Sequence, residues 1–151
     1  MKQNRWVAKL TIPGKSATNF IYDHYNRLGY VSNKGQSVYV VDLGSKEIDV
    51  VNKITTELKP PLSGLHGVHK GERKLLFVSN YTDGKIKIFT SKNFADKQSK
   101  IKVIFEIDGA PECKILSYKH SRHEIWTGHS KGAVRVLQGV VIDFSKIKPR
   151  D

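Results

Sequence analysis

Apolar and polar residues alternate with a period of two along much of this chain, and Gly, Pro, Asn or Asp breaks the alternation at short intervals. Lys85-Ile86-Lys87-Ile88 and Val134-Arg135-Val136 show the period plainly. A period of two sends successive side chains to opposite faces, so such segments predict strands with one buried and one wet face. No segment keeps a convincing helical period. The pattern therefore predicts an all-β chain of short antiparallel strands.

The strands recur as a unit. Leu28-Gly29-Tyr30-Val31-Ser32-Asn33 leads through a polar turn with Gly35 to Val38-Tyr39-Val40-Val41-Asp42. Leu75-Leu76-Phe77-Val78-Ser79-Asn80 leads through Asp83-Gly84 to Ile86-Lys87-Ile88-Phe89, and Glu124-Ile125-Trp126-Thr127-Gly128-His129 through Gly132 to Val134-Arg135-Val136-Leu137. Val38, Ile86 and Val134 stand 48 residues apart. Each segment is a hairpin signal, strand–turn–strand with Gly in the turn. Tyr30, Phe77 and Trp126 put an aromatic at one point of every unit.

Ahead of each hairpin runs another strand stopped by Pro or Gly: Trp6–Ile12 before Pro13-Gly14, Val51–Leu58 before Lys59-Pro60-Pro61, and Ile101–Ile107 before Asp108-Gly109-Ala110-Pro111. A short apolar stretch follows each stop: Asn19-Phe20-Ile21, Leu65-His66-Gly67-Val68 and Lys114-Ile115-Leu116. About four short strands per unit is the content of a β-propeller blade. The predicted units are 13–58, 60–107 and 109–144, with a basic tail at 145–151.

Tyr30-Val31-Ser32-Asn33 with Val38-Tyr39-Val40-Val41-Asp42 resembles the YVTN-repeat β-propellers, whose unit runs Tyr-Val-Thr-Asn, a few polar residues, then Val-x-Val-Ile-Asp. Phe77-Val78-Ser79-Asn80 with Lys85–Phe89 is a second match, and Gly109-Ala110-Pro111 looks like the family's Gly-x-Pro lead-in to the innermost strand. The third unit, Trp126-Thr127-Gly128-His129, leans toward a WD-type blade. The resemblance covers about residues 5 to 143. It implies the propeller fold and a structural role for Asp42. It implies no single activity, because propellers host unrelated functions.

Propellers close with roughly 4–8 blades. Three blades leave an apolar face open at each end, and a repeat unit does not bury its face without neighbours. Trp6–Ile12 falls where the outer strand of a preceding blade belongs, while Val140-Val141-Ile142-Asp143-Phe144 is a candidate outer strand for the last one. These features predict self-assembly, with a six-bladed ring from two chains as the simplest form. The alternative is a fragment of a longer propeller.

Composition adds the following. The 151 residues are 38% apolar and 26% charged, which suits a folded domain rather than a disordered one. No apolar run approaches the ~18 residues of a membrane span. No apolar stretch follows the basic N-terminus, so no secretory signal is present. That slightly favours the cytoplasm, and a processed periplasmic chain fits as well. A single cysteine, Cys113, excludes an internal disulfide and multi-cysteine metal motifs. It is expected to be a small buried hydrophobe.

The net charge is +12 and most of the basic residues are lysines. Lysine is a strongly hydrated point charge, so the excess suits polyanions in general more than base-specific contacts. Lys85 and Lys87, on the expected wet face of a strand, Lys92, Lys97, Lys100 and Lys102 around a polar connector, and Lys146, Lys148 and Arg150 in the tail are the candidate polyanion contacts. Tyr81 and Phe94 are candidates to stack on nucleic-acid bases.

Among the histidines, His66 is the best single candidate for a channel ligand, at the expected start of an innermost strand. Asp23 is the one acidic residue the inner strands supply. His66/His69 and His120/His123 are spaced i, i+3, which on a strand sends the rings to opposite faces, so neither pair is a ready metal site. His120 and His123 are expected to be solvated. No cofactor and no catalytic set is expected. The sequence points first to a non-catalytic β-propeller binding module that assembles with itself or a larger complex. A nucleic-acid or polyanion binder is second, and a lactonase-type propeller hydrolase third.

Overall fold

The computed structural model describes residues 4–5, 8–14, 16–55, 57–70 and 73–146. The chain is all-β, and among the described residues helix is confined to two single 3-10 turns and eleven strands form three antiparallel sheets. Blade 1 holds β1 (Ala17–Asp23), β2 (Leu28–Asn33), β3 (Val38–Asp42) and β4 (Asp49–Ile54). Blade 2 holds β5 (Leu62–Lys70), β6 (Arg73–Asn80), β7 (Ile86–Ser91) and β8 (Ile101–Ile107). Blade 3 holds β9 (Cys113–Lys119), β10 (Glu124–His129) and β11 (Val134–Gln138). In each sheet the strands lie in chain order, as hairpins joined by short turns dictate. The three sheets stack as the blades of a partial propeller, and no sheet closes on itself.

Two apolar layers hold the stack. Between blades 1 and 2, Leu28, Tyr30, Val38, Val40 and Ile54 meet Leu62, Leu65, Leu76, Val78, Phe89 and Phe94. Between blades 2 and 3, Leu75, Phe77, Ile86 and Ile88 meet Cys113, Leu116, Tyr118, Ile125, Val140 and Ile142. The pleat explains the partition: Leu75 and Phe77 face one neighbour, Leu76 and Val78 the other. Blade 2 is thus apolar on both faces, like any sheet sandwiched between layers. That overturns the expected wet face of its β7 hairpin. Lys85 lies ahead of the strand, and the Lys87 side chain, only 17% exposed, turns to the Glu57 carbonyl.

The repeat chemistry works at the turns. Asn33 Nδ2 donates to the Pro13 carbonyl at 3.1 Å, and Asn80 Nδ2 to the Lys59 carbonyl at 2.8 Å. In blade 3 the ring of His129 bonds the Pro111 carbonyl at 2.7 Å through Nδ1. A register shift lies beside this residue in all three blades, at Asn33, Asn80 and His129 alike. The histidine therefore does what asparagine does in the other two units, clasping the lead-in to its own blade. Turns also clasp the next blade: Leu62 N donates to Gly35 O at 3.2 Å, and Ala110 N to Gly84 O at 2.9 Å. Gly84 sits at φ +73 with Pro111 N 2.5 Å from where a Cβ would stand, so only glycine fits there.

Blades 1 and 2 are also stitched by hydroxyls. Ser32 Oγ donates to Ser63 O at 2.7 Å, across the blade boundary. Ser63 Oγ lies 2.9 Å from Ser79 Oγ, which accepts the Gly64 N–H at 2.7 Å. These groups are buried, and the bonds they make offset the cost of burying polar atoms.

Two expected outer strands are absent. Residues 8–12 form no strand, and Trp6 and Val7 lie outside the described residues. Residues 140–143 form none either. Val140 N bonds His123 O at 2.9 Å, Tyr118 Oη donates to Val140 O at 2.8 Å, and Val140 and Ile142 turn inward to the core. Covering Tyr118 wins over pairing with β11, so blade 3 has three strands rather than the expected four.

Candidate functional site

A cleft of about 400 Å³ opens between blades 1 and 2, lined among others by Tyr22, Asp23, Tyr25, Tyr30, His66 and Lys74. Asp23 and His66 thus line one cleft, as two residues at the inner strands of neighbouring blades. His66 is in the middle of β5, not at its start, and its register partner is Phe77. Its ring stands edge-on to Phe77 at 5.8 Å. Burial, then the nearby Lys119 charge, hold its pKa below the ordinary value of 6.5, partly offset by a hydrogen bond with the Tyr118 backbone. His66 is therefore neutral at physiological pH. Asp23 is engaged locally: Oδ1 accepts the Tyr25 and Asn26 N–H groups at 3.0 and 3.3 Å, and Oδ2 accepts Asn26 Nδ2 at 2.7 Å. Such a carboxylate shapes a turn. Burial, with the Asp23 charge adding to it, pushes the Tyr30 phenol far above its usual range. The cleft holds a neutral imidazole and aromatic walls, and its one acid is committed to the backbone.

The candidate polyanion lysines are dispersed. Lys85 Nζ pairs with Glu106 at 2.9 Å, and Lys87 lies 3.9 Å from the same carboxylate. The Lys92 carbonyl accepts Lys74 Nζ at 3.1 Å. Lys97 lines a shallow cleft with Tyr39 and Lys53. Lys100 and Lys102 sit on the approach to β8 and within it, and each has a partner of its own. Lys146 closes the second 3-10 turn, and Lys148 and Arg150 lie outside the described residues. Of the two stacking aromatics, Phe94 is 1% exposed and packs edge-on to Tyr30 at 5.9 Å, so the core takes it out of play. Tyr81 gives its hydroxyl to a hydrogen bond with Ser130.

His120 and His123 are half-buried rather than fully solvated. His120 opens a 3-10 turn (His120–Arg122) with its ring 6.1 Å from that of Tyr118, and the His123 ring stands 6.0 Å from the His120 ring. Spacing on a strand did not anticipate this, because the turn is not a strand. Cys113 is fully buried, and burial raises its thiol pKa, as befits a core residue. Asp42 caps a turn through Gly44 N and Ser45, and the Ser45 hydroxyl, then Gly44 N–H, hold its carboxyl below the usual range. Among the described residues no three His, Cys, Asp or Glu side chains come together as a metal site. No described helix is long and apolar enough to cross a membrane.

The most distinctive surface is the outward side of blade 3. Register fixes its membership. Tyr30 pairs with Val40 and Ser32 with Val38; Phe77 pairs with Ile88 and Ser79 with Ile86; Trp126 pairs with Val136 and Gly128 with Val134. The first two sets are buried by the next blade. The third is not: Trp126 is 38% exposed, Val136 44% and Val134 68%, with Ile115 beside them at 67%. The turn residue Gly132, 48 positions after Gly84, has open space where Gly84 meets Pro111. Glu124 anchors this side from a buried position. It accepts Trp126 Nε1 and Gln138 Nε2 at 3.2 Å each, and these bonds and Arg122 hold its carboxyl below the usual range. The opposite end of the stack exposes Phe20 and Tyr22 of blade 1 at 53% and 54%.

No protein-family model matches the chain, and no curated protein matches it.

Proposed function

We propose that this chain is a non-catalytic β-propeller binding module, related to the YVTN-type repeats, that works by assembling with copies of itself. One observation carries the reading. Trp126, Val134 and Val136 occupy the pair positions whose equivalents in blades 1 and 2 are covered by another blade. A contiguous exposed apolar face of this kind is the usual mark of an interaction surface. An aromatic at its centre suits a binding hot spot. The partner that fits is another blade of the same pleat, and the blade 1 end, with Phe20 and Tyr22, supplies one.

The cleft at His66 supports binding more than catalysis, since its carboxylate is spent on a turn. The lysines support no second reading: Lys85 and Lys87 share one glutamate, and Phe94, one of the two stacking candidates, is in the core. Light scattering at rising concentration tests the proposal. The chain is expected to be larger than 17.1 kDa, and a Val136→Lys variant monomeric. A wild-type chain that stays monomeric to ~100 µM, well above the Kd of a specific interface, would refute it.

A further inference from the structure

The outer edge of the blade 3 sheet is β11, and the chain carries one segment whose place in the repeat is that of an outer strand. β4 starts at 49 and β5 at 62, and β8 at 101 and β9 at 113, so the outer strand of one blade precedes the inner strand of the next by twelve or thirteen residues. The same step back from β1, which starts at 17, lands on residue 4 or 5. The segment Ala8-Lys9-Leu10-Thr11-Ile12 alternates apolar and polar as β8 does, yet residues 8–12 pair with no sheet. β11 is exposed at all five positions and, among the described residues, pairs only with β10.

Connectivity says which blade the segment belongs beside. The β8 strand of blade 2 runs through Gly109-Ala110-Pro111 into blade 3, and blade 3 clasps that lead-in through His129 and Arg135, whose Nη1 donates to Gly109 O at 2.9 Å. Blade 1 clasps its own lead-in the same way, through Asn33 on the Pro13 carbonyl. The residues ahead of Pro13 therefore leave on the outward side of blade 1, where a preceding blade would stand. Within one chain blade 2 stands between blade 1 and blade 3, and the innermost strands β1 and β9 approach each other. That place is open to blade 3 of a second copy.

We infer that residues 8–12 of one copy add to the β11 edge of another as its fourth strand. This rests on the self-assembly proposed above, and names the element that makes it specific. An unpaired edge offers a row of N–H and C=O groups, and strand addition satisfies them. Stacking of blade 1 on blade 3 and docking of the strand are then one event.

The test is hydrogen exchange at the Val134–Gln138 amides in the full chain, read beside light scattering, with a Leu10→Pro variant. Leu10 lies in no sheet, so the substitution leaves the fold intact while proline removes a donor the added strand needs. The wild-type β11 amides are expected to exchange about tenfold or more slowly at high than at low concentration, and to lose that protection in Leu10→Pro. A synthetic peptide spanning residues 4–13 is expected to restore it to the variant. A wild-type chain that assembles while β11 exchange ignores both Leu10→Pro and the peptide would overturn the strand addition and leave face-to-face assembly standing. A wild-type chain that never assembles would overturn both.

Discussion

Phe77 and Trp126 occupy one position of the repeat in two different settings, which makes them a matched pair for truncation. Phe77 is fully buried, stacks on Tyr118 at 5.2 Å and meets His66 edge-on. Phe77→Ala would remove a ring from the layer between blades 2 and 3 and leave a cavity, a change that costs about 3–5 kcal/mol. In a chain of this size each kcal/mol lowers Tm by about 2–4 °C. Trp126 is 38% exposed, and its one fixed polar contact is to Glu124, two residues away on its own strand. In the dilute chain Trp126→Ala should cost only about 1 kcal/mol, the scale of a partly exposed position. Urea denaturation followed by circular dichroism at ~1 µM and again at ~100 µM gives both numbers, because association adds stability only as concentration rises. The Phe77→Ala loss should be the same at both concentrations. The Trp126→Ala loss should grow at the higher one. Equal losses for the two variants in the dilute chain would mean that the outward side of blade 3 is already covered within one molecule, and the reasoning from register would fail.

Other outcomes follow from the same contacts. Ser79→Ala leaves the Gly64 N–H without its buried acceptor and should cost about 1–3 kcal/mol in a thermal melt; an unchanged Tm would show that the hydroxyl stitch does not matter. Gly84→Ala should destabilise far more than Gly132→Ala. Both residues have positive φ and share the backbone penalty of about 1–2 kcal/mol, but only Gly84 meets the next blade's backbone. His129→Asn should keep the blade 3 lead-in anchored while His129→Ala loses about 1 kcal/mol, so equal Tm values for the two would break the equivalence with Asn33 and Asn80. His66 is held below its ordinary pKa, so the unfolded chain takes up its proton first on acidification. Its contribution is therefore full above about pH 6.5 and declines below it. The fall in Tm between pH 7 and 5.5 should be shallower in His66→Gln, and an unaltered slope would exclude His66 as a source.

Much of the fold could be read along the chain because hairpins are local. Ile101–Ile107 emerges as the strand the alternation predicts, and Tyr30, Phe77 and Trp126 do share one register position. Local pattern failed where a distant partner set the outcome. Val140 and Ile142 look like an outer strand, but Tyr118 on β9 draws them inward. Phe94 looks like an exposed platform in a polar connector, but the layer between blades 1 and 2 absorbs it. Lys87 alternates as if onto a wet face, but a neighbouring blade lies on that side. The stand-in of His129 for asparagine has a plain trace in the sequence, since His129 follows Trp126 by three residues as Asn33 follows Tyr30 and Asn80 follows Phe77. Only the fold shows that its ring reaches the Pro111 carbonyl as the asparagine amides reach theirs.

The sequence by itself determined the strand pattern, the 48-residue spacing of the hairpins and the alternation over residues 8–12 that no described sheet takes up. Those follow from alternation and turn chemistry, which act between residues near in the chain. The tertiary structure alone decided which faces are buried, since the same pleat is core in blade 2 and exposed in blade 3. The difference lies in whether another sheet stands beside it, and neighbouring sheets are not encoded in the alternation of any one strand.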